Sequence, residues 1–144
     1  MEKSALYFIG RYDIKLGELV NSRDALLELN FAKGLDVVTA FKISKNVKNI
    51  DEELKVYEKE HTRLVEKYCK RDLEGQPVIE NGSFSVIGEN VMLYKQELEE
   101  LHNINVEVKI HKIQLEFIKN VGLSPAQISS VEYMLLFDNI ESED

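Results

Sequence analysis

The feature that most constrains the fold is a long amphipathic segment between Val37 and Arg71. Its second half, VKNIDEELKVYEKEHTRLVEKYCK, is dense in charge. Seven of its residues nevertheless recur at alternating spacings of three and four: Val47, Ile50, Leu54, Tyr57, His61, Leu64 and Tyr68. That spacing is typical of one helix packing along another. A helix over 37–71 would be on the order of 50 Å long, so this single element sets the dimensions of the fold.

A second segment supplies a matching stripe. In GENVMLYKQELEELHNI, residues 88–104, four residues follow spacings of three, four and three: Val91, Tyr94, Leu98 and Leu101. Because a narrow apolar stripe does not hold a helix together alone in water, we expect the two segments to pair as an antiparallel helical hairpin. Between them, Asn81-Gly82 lies between β-prone residues and predicts a β-hairpin. The expected result is a projecting arm, residues 47–103, with the β-hairpin at its tip.

Strands are predicted near both ends of the chain. The segment ALYFIGRYDIKL, residues 5–16, mixes aromatic and β-branched residues. The segment NVEVKIHKI, residues 105–113, alternates, with Val106, Val108 and Ile110 on one face and His111 on the other. We expect the two strands to pair in the body of the protein.

Three helices are predicted around these strands. GELVNSRDALLELNFA, residues 17–32, suits one helix ending before Gly34, and Asp36 can cap the long helix that follows. The start of the long helix is expected to present a broad apolar face to the core, formed by Val37, Val38, Ala40, Phe41 and Ile43. Ser124-Pro125 is a typical start for the last helix.

The predicted fold is therefore α+β, mainly α, in one domain over residues 1–137. Residues 1–46 and 104–137 form a small body of short strands and helices, and residues 47–103 form the arm. A chain of 144 residues suits one domain of this kind. The last residues, 138–144, are predicted to be a disordered acidic tail.

The net charge and the length of the apolar runs limit the kinds of partner that we expect for this protein. The formal net charge of −8 argues against direct nucleic-acid binding, which depends on clustered Lys and Arg. The longest apolar runs, ALYFI and YMLLF, are far shorter than the roughly 20 residues that cross a bilayer. The first residues lack the features of a signal peptide. We expect a cytoplasmic protein that binds no membrane.

The histidines and the single cysteine do not predict a metal or cofactor site. His61 and Cys69 are eight residues apart, about 12 Å along a helix, which is too far to share a zinc ion. Cys69 lies near the carboxyl end of the long helix, where the helix dipole disfavours a thiolate. No phosphate-binding loop and no GxSxG motif is present. We therefore expect no cofactor and no enzymatic activity.

Interaction with another protein is the function that the sequence favours. Tyr57, Tyr68 and Tyr94 lie beside the stripe, and tyrosine is a frequent anchor at interfaces. The alternative is that these rings only close the helical hairpin. The first part of the stripe, formed by Val47, Ile50 and Leu54, extends beyond the shorter partner helix. If this part is uncovered, it favours a homo-oligomer or another protein partner.

The order of these features resembles a family of small uncharacterised proteins encoded by tailed bacteriophages. The resemblance rests on the short helix, TAFKISKNVKNIDEEL, the charged arm, and the closing VEVKIHKIQLEFIKNVGLSPAQISSVEYML. It covers about 130 residues and implies origin and architecture, because the family offers no active site to transfer.

A phage origin suggests two roles for an interaction protein. One is inhibition of a bacterial defence complex, which an acidic surface favours because it can occupy a basic site. The other is a virion or assembly accessory. A third hypothesis, of a different class, is sequestration of a small nucleotide ligand between subunits. The partner in the first two roles would be a host defence protein or a phage structural protein.

Overall fold

The computed structural model describes residues 9–86 and 88–137, and the predictions for residues 1–8 and for the acidic tail lie outside them. The principal elements in chain order are β1 (Ile9–Lys15), α1 (Leu16–Asn21), α2 (Arg23–Asn30), α3 (Val37–Tyr68), β2 (Ile79–Glu80), β3 (Ser83–Phe84), α4 (Glu89–His102), β4 (Asn105–His111), β5 (Ile113–Gln114), a 3₁₀ helix (Leu115–Val121), α5 (Pro125–Ser130), a second 3₁₀ helix (Glu132–Met134) and β6 (Leu135–Leu136).

Helices dominate these described residues, and the strands form small two-stranded sheets, so the fold is α+β and mainly α. The terminal strands pair as expected: β1 and β4 are antiparallel, with Tyr12 opposite Val108. β2 and β3 are antiparallel around Asn81 and Gly82, both of which have positive φ. β5 and β6 pair in parallel, which brings the end of the described chain beside β5.

The long helix α3 begins where the sequence indicated. Asp36 is its N-cap, and the carboxylate accepts a hydrogen bond from the backbone N–H of Thr39 at 3.0 Å. The helix runs for 32 residues and ends at Tyr68, three residues before the predicted Arg71. Its length of about 48 Å makes it the axis on which the other elements pack.

The prediction for the first turns of α3 is wrong. Val37 is 85% exposed, Val38 60% and Phe41 59%, and Ala40 is also exposed. Only Ile43 of the predicted apolar face is buried. The core is instead contacted by the opposite side of the helix, whose buried residues are Thr39, Ile43, Asn46, Ile50, Leu54, Tyr57 and Tyr68.

The predicted helix over residues 17–32 is two helices. The helix is interrupted at Ser22, which is fully buried. The Ser22 hydroxyl donates a hydrogen bond to the carbonyl oxygen of Leu19 at 2.7 Å. The same hydroxyl lies 2.8 Å from the Tyr133 hydroxyl, near the far end of the described chain. A side-chain bond to the preceding turn competes with helix continuation, and here it directs α2 onto α3.

The expectation that Val47, Ile50 and Leu54 remain uncovered is also wrong. Ile50 is 0% exposed and Leu54 7%, and Val47 packs against the same hydrophobic core. The covering element is α2, which contacts α3. The spacing in the sequence indicates only α4 as a partner for the stripe, whereas the break at Ser22 provides a second one.

The outer edge of β4 is covered by α3. Asn46 is fully buried, and its amide accepts a hydrogen bond from the His111 N–H at 2.8 Å and donates one to the His111 carbonyl at 2.9 Å. Asn49 donates to the Lys109 carbonyl at 3.1 Å. Two asparagine side chains therefore take the place of a neighbouring strand. The side chain of His111, which the alternation places on the face opposite Val108 and Ile110, is nevertheless buried, because α3 packs against this end of β4.

The last helix starts as predicted. Ser124 is the N-cap of α5, Pro125 is its first residue, and Ser124 and Gln127 form a capping box. The helix ends at Ser130, after which Val131 and Met134 are fully buried in the core.

Candidate functional site

Tyrosine and histidine side chains form a polar layer between α3 and α4. The Tyr57 hydroxyl lies 2.8 Å from Nε2 of His102, and the Tyr94 hydroxyl lies 3.0 Å from Nε2 of His61. The rings of Tyr57 and His61 stack with their centroids 5.6 Å apart. Burial raises the pKa of both tyrosines. These hydroxyls are therefore satisfied within the chain.

A second polar contact joins the same helices nearer the end of α3. The Tyr68 hydroxyl donates to the carboxylate of Glu97, and Lys67 lies 3.1 Å from the same carboxylate. Two hydrogen bonds lower the pKa of Glu97: the one from Tyr68 has the larger effect and the one from Lys67 the smaller. The hydrogen bond to Glu97 in turn raises the pKa of Tyr68.

The predicted interaction residues fall into two groups. Ile50, Leu54, Tyr57 and Tyr68 are buried, so they pack the interior of this chain and offer no surface to a partner. Val47 and Tyr94 are half-buried. Five of the six residues lie where α3 contacts α2 or α4, and Tyr94 lies on α4 where it contacts α3. For Val47 and Tyr94, contact with a partner stays a prediction.

A groove of about 320 Å³ follows the contact between α2 and α3, and Val47, Ile50 and Leu54 are among its lining residues. Ion pairs close its polar rim: Arg23 pairs with Glu58, and Lys55 lies 3.6 Å from Asp51. The guanidinium of Arg23 also lies over the Tyr57 ring, 5.6 Å from its centroid. Because these acidic and basic side chains are already paired with one another, the charge of the rim does not indicate what would bind the groove.

A group of exposed apolar side chains lies on the outer side of α3. Val37 and Val38 lie about one helical turn before Phe41, and all three side chains are exposed. Nζ of Lys45 lies 6.0 Å from the centroid of the Phe41 ring, within the range of a cation–π contact. We define the outward face as Val37, Val38, Phe41, Lys42 and Lys45.

A hollow adjoins this outward face. Its volume is about 270 Å³, and Val38 and Lys42 of α3 line it together with Phe117 of the first 3₁₀ helix and Leu136 of β6. Phe117 is itself exposed. Asp36 also lines the hollow, with its carboxylate bonded to Thr39. A hydrogen bond from the Thr39 side chain, followed by the one from the Thr39 backbone N–H, lowers the pKa of Asp36 and so favours its charged form at the helix start.

The outward face is basic in an acidic protein. Residues 37–49 contain Lys42, Lys45 and Lys48 and no acidic residue, while the whole chain carries a net charge of −8. In the sequence, the apolar residues at the start of α3 resemble a face that packs against the core. The signal against that assignment was their position, because Val37 and Phe41 lie on the side of the helix opposite Ile43 and Ile50.

His111 lies beneath the same part of α3. It is 7% exposed, and its Nε2 has no hydrogen-bond partner among the described residues. Burial lowers the pKa of His111, and the charges of Lys109, Lys45 and Lys42 lower it further. Burial and the nearby lysines therefore both favour the neutral form of the imidazole.

The geometry gives little support for a metal-binding site or a reactive cysteine. Within residues 9–86 and 88–137, no three His, Cys, Asp or Glu side chains are grouped so that they could hold a metal ion. Cys69 is buried, and its thiol lies 3.7 Å from the Glu66 carbonyl oxygen. A buried thiol that contacts the helix end lacks the exposure that is typical of a reactive cysteine.

None of the helices that the structure describes combines the length and the apolar character needed to cross a membrane. Comparison of the chain with models of protein families, with curated proteins and with solved structures found no match. The case for a function therefore rests on the surfaces described above.

Proposed function

We propose that this protein is a non-enzymatic protein–protein interaction module and that it binds its partner through the outward face of α3. The observation that carries the proposal is the exposure of Val37, Val38 and Phe41 on the first turns of a well-capped helix. Large apolar side chains grouped on a surface and edged by polar residues are typical of interaction sites. Their exposure has a cost in water that contact with a partner would remove.

The architecture proposed for this role is a helical hairpin on a small body, in one domain over residues 1–137. Contacts between α3 and α4 run in opposite directions along the two helices: Tyr57 meets His102, and Tyr68 meets Glu97. In this arrangement the hairpin holds α3 rigid. A rigid helix presents its outer side chains with little loss of conformational entropy on binding.

The biological setting we propose is a tailed bacteriophage and the cytoplasm of its bacterial host. Within that setting, inhibition of a host defence complex is the first candidate, supported by the resemblance to phage proteins. Assembly or virion function is the alternative. The self-association predicted from the stripe at Val47, Ile50 and Leu54 loses its basis, since α2 covers those residues. We propose a different surface for any homo-oligomer instead.

Site-specific photo-crosslinking tests the proposal. A photoreactive amino acid replaces Phe41 in the full chain, which is expressed in bacteria with and without phage infection, and adducts are identified by mass spectrometry. The matched control replaces Lys59, which is exposed on the same side of α3 five turns further on. We expect a discrete protein adduct at position 41 and none at position 59.

The identity of the adduct separates the candidates. A bacterial defence protein supports the first, whereas capsid or tail proteins alone would eliminate it in favour of assembly. An adduct with a second copy of the chain would show self-association. The absence of any adduct at position 41 would remove the interaction proposal for this face.

A further inference from the structure

We propose that β1 pairs with β1 of a second copy of this chain, so that two β1–β4 sheets join into one four-stranded antiparallel sheet. The two strands would cross at Tyr12, with Arg11 of each copy opposite Asp13 of the other. The inference goes beyond the proposed function, because it concerns a surface other than the outward face and a different partner.

The outer edge of β1 is open within the part of the chain that the structure describes. β4 points the N–H and carbonyl of His111 and the carbonyl of Lys109 towards α3, so it pairs with β1 through its even-numbered residues. The N–H and carbonyl groups of Arg11 and Asp13 therefore point away from β4, and no described residue forms a hydrogen bond with them. An edge of this kind is a template for another strand.

The charges along β1 are poorly matched within the chain. The register places Arg11 opposite Lys109 and Asp13 opposite Glu107, so like charges face each other in both pairs. Directly opposed like charges destabilise an antiparallel pair of strands. Arg11 also makes a diagonal contact with Glu107 at 3.9 Å, in which both side chains are more than half exposed. Asp13 has no ion-pair partner among the described residues.

A second copy of β1 supplies the missing opposite charges. In an antiparallel pair centred on Tyr12, Arg11 lies opposite Asp13 of the second copy, and the symmetry repeats this pair on the other side of Tyr12. The register also suits the backbone, because Arg11 and Asp13 are the residues whose N–H and carbonyl groups point outward. A guanidinium has several donors, so Arg11 can contact Asp13 of the second copy and keep Glu107.

The remaining charges near this edge do not oppose the register. Lys15 would stand opposite position 9, which is an isoleucine. Its own N–H is bonded to the Glu18 carboxylate at 3.4 Å, so the open edge ends before Lys15. Lys112 lies over the Tyr12 ring, on the face of the sheet opposite Arg11 and Asp13, and its amino group donates to the Tyr133 carbonyl.

Analytical ultracentrifugation of the full chain and two charge-reversal variants tests the inference. We expect a dimer for the unaltered chain, and a dimer Kd raised about tenfold or more in Arg11→Asp and in Asp13→Arg, since each variant places like charges opposite each other twice. Folding should be preserved, because each new side chain is opposite in charge to its neighbour on β4, Lys109 or Glu107. Urea unfolding of each variant checks this. Lys59→Glu is the control and should change the Kd less than about twofold.

A mixture of the two variants gives the most specific result. Position 11 of one variant then faces position 13 of the other with opposite charges in both pairs. We therefore expect Arg11→Asp and Asp13→Arg, each monomeric alone, to form a heterodimer when mixed, with a Kd within about threefold of that of the unaltered dimer. No other register or surface predicts this recovery.

Several outcomes would overturn the inference. An unaltered chain that stays monomeric at about 1 mM would do so, as would a dimer with the same Kd in both variants or a mixture that stays monomeric. A dimer that is lost in Val38→Ser/Phe41→Ser and kept in the β1 variants would assign self-association to the outward face. A protein adduct at position 41 of a monomeric chain would leave the proposed function standing and refute only the pairing of β1. A β1 dimer without that adduct would do the reverse.

Discussion

At the scale of single residues, Asn46 determines how the long helix joins the sheet. Its amide makes two hydrogen bonds with the backbone of His111 in a fully buried position, and its Nδ2 also lies 3.6 Å from the sulfur of Met134. In the sequence this asparagine sits among lysines, in SKNVKN, and suggests a solvated helix surface. Its role depends on the edge of a strand 65 residues away, which no local pattern indicates.

Substitution of Asn46 by alanine should be strongly destabilising. The N–H and carbonyl of His111 would be left buried without partners, at a cost of about 1–3 kcal/mol for each group. Urea unfolding followed by circular dichroism measures the loss. The matched control is Asn49→Ala, which removes one bond to the Lys109 carbonyl at a more exposed position and should cost about 1 kcal/mol. Equal unfolding midpoints for the two variants would contradict the assigned role.

His111 should make the protein sensitive to mild acid. Because burial and the nearby lysines lower the pKa of His111 in the folded chain, the unfolded chain takes up the proton first, at about pH 6.5. The unfolding free energy therefore falls as the pH drops through that value, before most carboxylates titrate. We expect the unfolding midpoint to decrease between about pH 7.5 and about pH 5.5, and the decrease to be smaller in His111→Gln.

Lys45→Gln provides a second check on this explanation. Lys45 adds to the repulsion that a charged His111 would meet, along with Lys109 and Lys42, so its loss should reduce the acid sensitivity without removing it. If His111→Gln loses as much stability between the two pH values as the unaltered protein does, the sensitivity has another origin.

At the scale of elements, local signals predicted the starts of helices, and tertiary contacts decided their breaks and partners. Asp36 and Ser124 cap α3 and α5 as predicted, because a cap is made with residues only three positions away. The break at Ser22 involves Tyr133, 111 residues later. Burial raises the pKa of Tyr133, consistent with an interior hydroxyl that serves packing. A contact of that separation leaves no trace in local periodicity.

Gly17 lies where α1 closely approaches the end of α4, so a substitution there tests how much room this contact has. A methyl group at this position would stand 3.0 Å from Cβ of His102 and 3.2 Å from its carbonyl oxygen. Alanine normally stabilises a helix by about 0.5–1 kcal/mol relative to glycine. Here we expect Gly17→Ala to lower the unfolding free energy by about 1–2 kcal/mol, because the two helices must separate.

The control for this prediction is Asn21→Ala, at an exposed position of the same helix. Its effect on the unfolding free energy should stay within about 0.5 kcal/mol. A gain in stability for Gly17→Ala, measured by chemical denaturation, would mean that α1 and α4 have room to adjust.

At the scale of the whole molecule, both ends of the described chain build the body. β1 pairs with β4, and Ser22 meets Tyr133. The composition and periodicity of the sequence predicted the mainly helical α+β class and the pairing of the terminal strands. They did not predict which apolar residues would be exposed, because Phe41 and Ile50 both belong to helical patterns and only packing distinguishes the two sides. The candidate site was therefore visible only in three dimensions.

The central claim is that the outward face of α3 serves binding and contributes little to folding. The most direct test measures the affinity of the partner protein that crosslinking at position 41 identifies. The partner is titrated with the unaltered chain and, separately, with Val38→Ser/Phe41→Ser. Both side chains are more than half exposed. We therefore predict that the variant keeps its unfolding free energy within about 1 kcal/mol and binds about tenfold or more weakly. A variant that unfolds readily, or a stable one that binds its partner as tightly as before, would contradict the claim.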